Sequence, residues 1–514
     1  MRNLPSIQDY VECEIGRIFS ENGVYEPGEI TFTLYDRASV EIGDIVCIEH
    51  PSKPGVPVFY QVVEALTRRK ARDLDEDLIK MQKHIRDEAR DYPRAKARQL
   101  GYYEELKLEK MAEDEDLLAL IEHVIPLEAV YKPKDEVLKA LLEPADASIG
   151  LGLIYPGWKH TFKLNARKLL RRGMLVVGGV GTGKTTTMLT TLTNLILQLR
   201  KSGGKPRILI VDKDGEYGAK ELIDASNGSY VEVDINDVTV ESLSRKEEFA
   251  RVLLQRLGFY GKQSKAAKAL YAAVMEAEEE KFELSPEFVK EKILPRIMDP
   301  ATRGEIEVKL QSWNTSAKSP EVKYTIDDVL TLVKTNIVTH LNLKACRNFD
   351  HTFQVINELV RRIYDEAIRG SMACVLVIDE AHLFCPEKGG IELSSEAKNL
   401  RETLELVATT GPRNNFVPFM ATQRPSLISK TITTQLGQNI IAHRVEDVDL
   451  GRLKEIMGPV AEKVSMLPRG WALVKSISAR IREPLIIRVE PTAKPTSATK
   501  TAYERFLEAG AEEA

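Results

Sequence analysis

Along the first part of the chain, apolar and polar positions alternate over short runs. The runs are Tyr10–Phe19 (YVECEIGRIF), Glu29–Tyr35 (EITFTLY), Val40–His50 (VEIGDIVCIEH) and Val56–Leu66 (VPVFYQVVEAL). Turn-forming ENGVYEPG and PSKPG separate them. Short alternating strands punctuated by Gly and Pro predict a small β-barrel or sandwich over residues 1–66. At Thr67 the pattern changes. Leu74, Leu78, Met81 and Ile85 recur at helical spacing in a stretch dense with charge, so residues 67–150 read as exposed helices and a linker into the centre of the chain. The basic residues Arg68, Arg69, Lys70 and Arg72 can touch nucleic acid or a partner, although mixed charge usually marks a solvated face.

From Gly173 onward, compact apolar runs alternate with helical segments. MLVVGG, RILIVD, YVEVD, VTHLNL, CVLVID, PFMATQ, NIIAH and WALVK each have the length of a strand, and Lys184–Arg200 follows the first as a helix. This order predicts an α/β domain over residues 151–490, with helices on both faces of the sheet. Between about Glu241 and Tyr324 the sequence is helical and charged, an insertion into that domain. Residues 491–514 read as a linker with a short terminal helix.

Composition narrows the partners. The chain has 514 residues, with 72 Lys plus Arg against 77 Asp plus Glu, for a net charge of −5. That excludes a uniformly basic nucleic-acid binder, but not a protein with positive charge gathered in one groove or channel. Five scattered cysteines, none in a C-x-x-C pair, make neither a disulfide framework nor a zinc signature. The N-terminus lacks a signal-peptide run, and the uncharged stretch Thr185–Leu199 is too rich in threonine to span a bilayer. These features predict a soluble, cytoplasmic protein without a membrane segment.

The strongest chemical signal is Gly178-Gly179-Val180-Gly181-Thr182-Gly183-Lys184-Thr185, with Thr186 next, which satisfies G-x-x-x-x-G-K-[ST] between a strand and a helix. Glycines let backbone N–H groups curl around phosphates. Lys184 sets a cation against the β- and γ-oxygens, and Thr185 offers a hydroxyl to Mg²⁺. The helix N-terminus adds its positive dipole end. ATP with Mg²⁺ is the expected ligand. A second signal, CVLVIDEAH, delivers Asp379 and Glu380 at the end of a buried strand. There Asp379 can hold Mg²⁺ and Glu380 can orient and deprotonate the attacking water. His382 either links this site to another element or caps the strand end. The acids of DKDGEY, Asp212, Asp214 and Glu216, follow another strand and can join the metal's outer sphere, contact a neighbouring subunit, or simply form an acidic turn. Gln423 ends the strand VPFMATQ, where its amide can meet the γ-phosphate or the water. Arg413 precedes that strand, so it can face a neighbour's nucleotide.

Taken together, VVGGVGTGKTTT, ILIVDKDGEYG, VLVIDEAH and MATQRPS resemble the HerA-type ATPases of the FtsK–HerA superfamily. The N-terminal strands around Gly16 and Val40–Val46 resemble the small barrel ahead of the ATPase core in that family, and Ile337–Ile368 is similar as well. The resemblance covers most of residues 8–66 and 125–490. It implies a RecA-like P-loop core, a homo-hexameric ring with nucleotide sites between subunits, and ATP-driven movement of double-stranded DNA. It also implies a NurA-type nuclease as partner. Lys184, Thr185, Asp379 and Glu380 carry over as Walker residues, Gln423 as a sensor and Arg413 as the arginine acting in trans. The family's Gly-Arg-Lys before the sensor strand is Gly-Pro-Arg here, which leaves the arginine's register open by one position. The leading expectation is a DNA translocase or helicase in end processing for recombinational repair. A DNA pump for conjugation-like transfer and a nucleotide-gated binding or defence module are the alternatives. Lys388 is either a pore residue or part of a solvated loop.

Overall fold

Six antiparallel strands close the N-terminal barrel in the order β1-β2-β5-β4-β3-β6. They are β1 (Val11–Phe19), β2 (Glu29–Leu34), β3 (Ile45–His50), β4 (Lys53–Arg69), β5 (Asp91–Tyr102) and β6 (Ala129–Pro133). The computed structural model describes residues 6–496 apart from 20–26, 36–37, 70–90, 104–116, 144–147, 158, 240–245, 247–248, 251–252, 255–256, 260–263, 278–285, 312–323, 347 and 388–392. Phe32, Ile48, Val58, Tyr60 and Val130 fill the barrel.

The barrel does not end at Leu66: in the segment after it, residues 91–102 and 129–133 are strands of the barrel, and the helix Asp135–Leu142 follows the last of them. β4 runs on through Thr67–Arg69, and β5 pairs with it from Arg69↔Asp91 to Val58↔Tyr102. The period in β5 is two: Ala95 and Ala97 are buried, while Lys96 reaches Glu29 at 2.6 Å on the outside. Small apolar residues between charges look like a solvated helix locally, and only pairing with β2 and β4 makes them a strand. The helical run Leu74–Ile85 and Lys388 lie outside the described residues.

The central sheet has eleven strands in the order β11-β14-β10-β15-β16-β9-β17-β18-β19-β7-β8. In chain order they are β7 (Ser148–Ile154), β8 (Thr161–Asn165), β9 (Met174–Val177), β10 (Ile208–Asp212), β11 (Tyr230–Asp234), β14 (Val338–Asn342), β15 (Cys374–Ile378), β16 (Phe416–Thr422), β17 (Asn439–Ala442), β18 (Trp471–Ser476) and β19 (Leu485–Val489). From β14 through β10, β15, β16 and β9 to β17 the pairing is parallel. β9, β10, β15, β16 and β17 are buried along their whole length. Burial on both faces is why they read as continuous apolar runs rather than alternating ones. β18, β19, β7 and β8 extend the sheet antiparallel.

A second compact unit comprises residues 234–331 and 345–359. It takes in more chain than the stretch of about 241–324 expected as an insertion, because the chain returns to it after β14. Leu253, Leu270, Val289, Ile293 and Ile306 form its own core. The short strands β12 (Val238–Thr239) and β13 (Tyr324–Thr325) pair within it. Among the described residues no helix is long and apolar enough to cross a membrane.

Candidate nucleotide site

Because β10, β15, β16 and β9 are adjacent and parallel, their C-terminal ends share one sheet edge. Asp212, Asp379 with Glu380, Gln423 and the loop Gly178–Gly183 therefore converge there. The loop is tied down by its main chain. Gly178 N donates to Thr422 O (3.2 Å), Gly179 N to Arg444 O (2.7 Å), and Gly470 N to Thr182 O (3.0 Å). Two glycines are required by geometry. A Cβ on Gly178 would lie 2.7 Å from both His443 Cβ and Thr182 Oγ1, and Gly183 adopts φ +124°. The tip at Val180 and Gly181 is exposed, Val180 at 82%. The helix Lys184–Lys201 begins directly after the loop, with Lys184 buried and Thr185 and Thr186 half-buried in its first turn.

Glu380 is the hub of the edge. Its backbone is left-handed, φ +48°, an uncommon conformation for a side chain of this size. Its carboxylate lies 3.5 Å from Lys184 Nζ, with each side chain only 7% exposed. It also accepts hydrogen bonds from the Gln423 amide nitrogen (3.2 Å) and from Gln423 Nε2. His382 Nδ1 sits 3.4 Å from Glu380 Oε2 and 3.1 Å from Thr422 Oγ1, so this histidine adjoins both the acid and the end of β16. Burial lowers the His382 pKa against the opposing pull of the Glu380 charge.

Asp379 is buried, and its Oδ1 has no hydrogen-bond partner among the described residues. Burial first, and then the adjacent Glu380 charge, push this carboxyl well above its ordinary range, with Lys184 opposing them. The Tyr217 hydroxyl is likewise buried without a partner. Its phenol is pushed well up by burial and by the Asp379 charge. An acid whose oxygen lacks a donor, next to a second acid and a lysine, is suited to a cation.

The DKDGEY turn is joined to the loop. Thr185 Oγ1 donates to Glu216 Oε2 at 2.8 Å. Asp212 holds the turn by accepting from the amides of Gly215 (2.8 Å) and Tyr217 (2.9 Å). Arg413 is not part of this edge. It is exposed in the turn Gly411–Asn414, before the first residue of β16, whereas Gln423 follows the last. Seven extended residues separate the two by roughly 23 Å.

Two histidines of this region were not singled out in the sequence. His443 ends the run NIIAH and lies under the loop. The Trp471 carbonyl can only accept, so His443 Nδ1 (2.8 Å) carries the proton and Nε2 accepts from the Thr187 hydroxyl (2.8 Å). Burial brings its pKa down to about 4. His340, in β14, donates to Asp212. Neither lies in a recognisable motif, and only strand order brings them to the site.

Residues 149–365 match the profile of the family described as Helicase HerA, central domain. That span is similar to the HerA central domain. It includes the loop, Lys184, the Asp212 turn and the second unit, while Asp379, Glu380, Arg413 and Gln423 follow it. The chain is 22% identical over 417 residues to the probable helicase MJECL08 of Methanocaldococcus jannaschii, covering 70% of this chain and 74% of the relative. Among solved structures, it is similar to VirB4 of Thermoanaerobacter pseudethanolicus, with 15% identity, 70% and 98% of the two chains covered and a TM-score of 0.40. The bacterial conjugative coupling protein TrwBdeltaN70 shows 12% identity, 70% and 93% coverage and a TM-score of 0.39. For the genome packaging NTPase B204 from Sulfolobus turreted icosahedral virus 2, in complex with ATP-gammaS, the values are 13%, 62% and 97%, and 0.30.

Proposed function

We propose that this HerA-type, helicase-like ATPase hydrolyses ATP at the described edge to move along double-stranded DNA as a ring of six copies. The observation that carries the reading is the division of one catalytic set between two ends of the sheet. Lys184, Glu380 and Gln423 meet at the loop, while Arg413 stands exposed at the opposite end of β16. A neighbouring copy in a ring would complete the site with its own Arg413, and an arginine supplied in this way is worth roughly 10³–10⁵ in rate.

In this reading the loop amides and Lys184 bind the triphosphate. Glu380 takes the proton of the attacking water, and Gln423 holds Glu380 and the water in register. Lys184 must then turn from Glu380 to the phosphates, which leaves the carboxylate free to act as base. The unpartnered Asp379 oxygen and the Thr185 hydroxyl would hold Mg²⁺, which supplies neutralisation of charge on the β- and γ-oxygens. A nuclease of the NurA type and a role in end processing for repair complete the proposal, and both rest on the family resemblance.

The test is steady-state ATP turnover of the full chain with and without long duplex DNA, with Lys184→Ala as control. A motor's turnover rises strongly with duplex DNA and is abolished in the control. Turnover indifferent to DNA would overturn the motor and leave a nucleotide-operated switch.

A further inference from the structure

A chain of buried polar side chains lies behind the site. The Asp212 carboxylate is fully buried and accepts four hydrogen bonds. Three come from amides of the turn it precedes: Asp214 (3.1 Å), Gly215 (2.8 Å) and Tyr217 (2.9 Å). The fourth comes from His340 Nε2 on β14, at 2.9 Å. On the far side of the ring, His340 Nδ1 lies 2.7 Å from the Tyr230 hydroxyl on β11. Burial opposes the charge on Asp212, but the His340 hydrogen bond and the Tyr217 and Gly215 amides outweigh it and keep the acid below its ordinary range.

This chain is not needed to join the strands. β10 and β14 already share an unbroken ladder from Ile208↔Val338 to Asp212↔Asn342. What the chain does fix is the turn, and the turn carries Glu216. Thr185 gives its one hydroxyl proton to Glu216, which leaves the oxygen lone pairs directed elsewhere.

We propose that His340 is a positioning residue for the nucleotide site: through Asp212 it fixes the Glu216 turn, and through Glu216 it directs the Thr185 lone pair toward a bound divalent cation. This rests on the reading of Thr185 as a Mg²⁺ ligand. Groups that orient a metal's ligands from behind typically change metal affinity by about 10- to 100-fold when lost. His340 acts one step further back, so the low end applies.

The experiment measures binding of a fluorescent ATP analogue to the full chain, in EDTA and across a Mg²⁺ titration, alongside thermal melting. For His340→Leu, the Mg²⁺ concentration for half-maximal tight binding should rise roughly tenfold, while affinity in EDTA stays at the wild-type value. His340→Gln, whose amide can place a donor where Nε2 sits, should restore most of the wild-type requirement. An unchanged Mg²⁺ requirement in His340→Leu, or an equal loss with and without Mg²⁺, overturns the proposal in favour of simple packing. Should His340→Leu fail to fold, Tyr230→Phe decides, since it keeps the ring and removes only the hydroxyl on Nδ1. A raised Mg²⁺ requirement supports the proposal and an unchanged one defeats it. Wild-type binding that ignores Mg²⁺, or that survives Lys184→Ala, would instead show that the site itself has been misread.

Discussion

Replacing Glu380 by glutamine tests the site most directly, because the change keeps shape and removes one charge. In the structure the carboxylate is engaged by Lys184 Nζ at 3.5 Å and by the Gln423 amide nitrogen at 3.2 Å. At that 3.5 Å separation the gross attraction to Lys184 is about 5 kcal/mol for an effective dielectric of about 20, most of it offset by desolvation of two buried ions. Two consequences follow, in opposite directions. Loss of the base should lower the turnover number by roughly 10²–10⁴, the range for removal of a general base. Binding should not weaken, because a neutral side chain no longer competes with phosphate for Lys184. A gain of about tenfold would need only about 1.4 kcal/mol of the released attraction. The assay is single-turnover hydrolysis combined with equilibrium binding of a non-hydrolysable ATP analogue. Turnover at the wild-type rate would remove Glu380 from the chemistry. Slow turnover accompanied by weakened binding would show that the substitution had collapsed the loop rather than removed a base.

If Arg413 acts across a subunit boundary, mixing Arg413→Ala with Lys184→Ala subunits should recover part of the activity that each lacks alone, and no recovery at any ratio would refute the trans assignment. Stability should also fall with acid through His443. Its folded pKa of about 4 lies below the ordinary 6.5, so the unfolded chain binds the proton first. The contribution is complete above pH 6.5 and is lost as pH falls toward 4, a total of roughly 3 kcal/mol. Denaturant titrations at pH 7 and 4.5 should show this loss in the wild type and a smaller one in His443→Gln. An equal loss in both would remove His443 as its source.

Parts whose chemistry is local are legible in the amino-acid sequence. Gly178–Thr185 needs glycines separated by four residues, in the spacing G-x-x-x-x-G, followed by a lysine and a hydroxyl, so the loop is legible from spacing alone. The parallel strands are legible too, because a strand buried on both faces must be apolar throughout, as in Cys374–Ile378. Asp379, Glu380 and Gln423 could be placed at strand ends and assigned to one nucleotide, but their mutual contacts could not be read. Their convergence depends on the strand order β10-β15-β16-β9, which no local pattern encodes. The same holds for β5, which lies in a stretch that reads as charged and helical and becomes a strand only because pairing with β2 and β4 buries Ala95 and Ala97. His340 and His443 show the limit most clearly. Each is a lone histidine, His340 within β14 and His443 directly after β17, and only tertiary structure sets one against Asp212 and the other beneath the Gly178–Gly183 loop. A strand's composition reports how deeply it is buried. Which charges it meets there is decided by neighbours more than a hundred residues away, since burial obliges each polar group to find its partner wherever the fold supplies one.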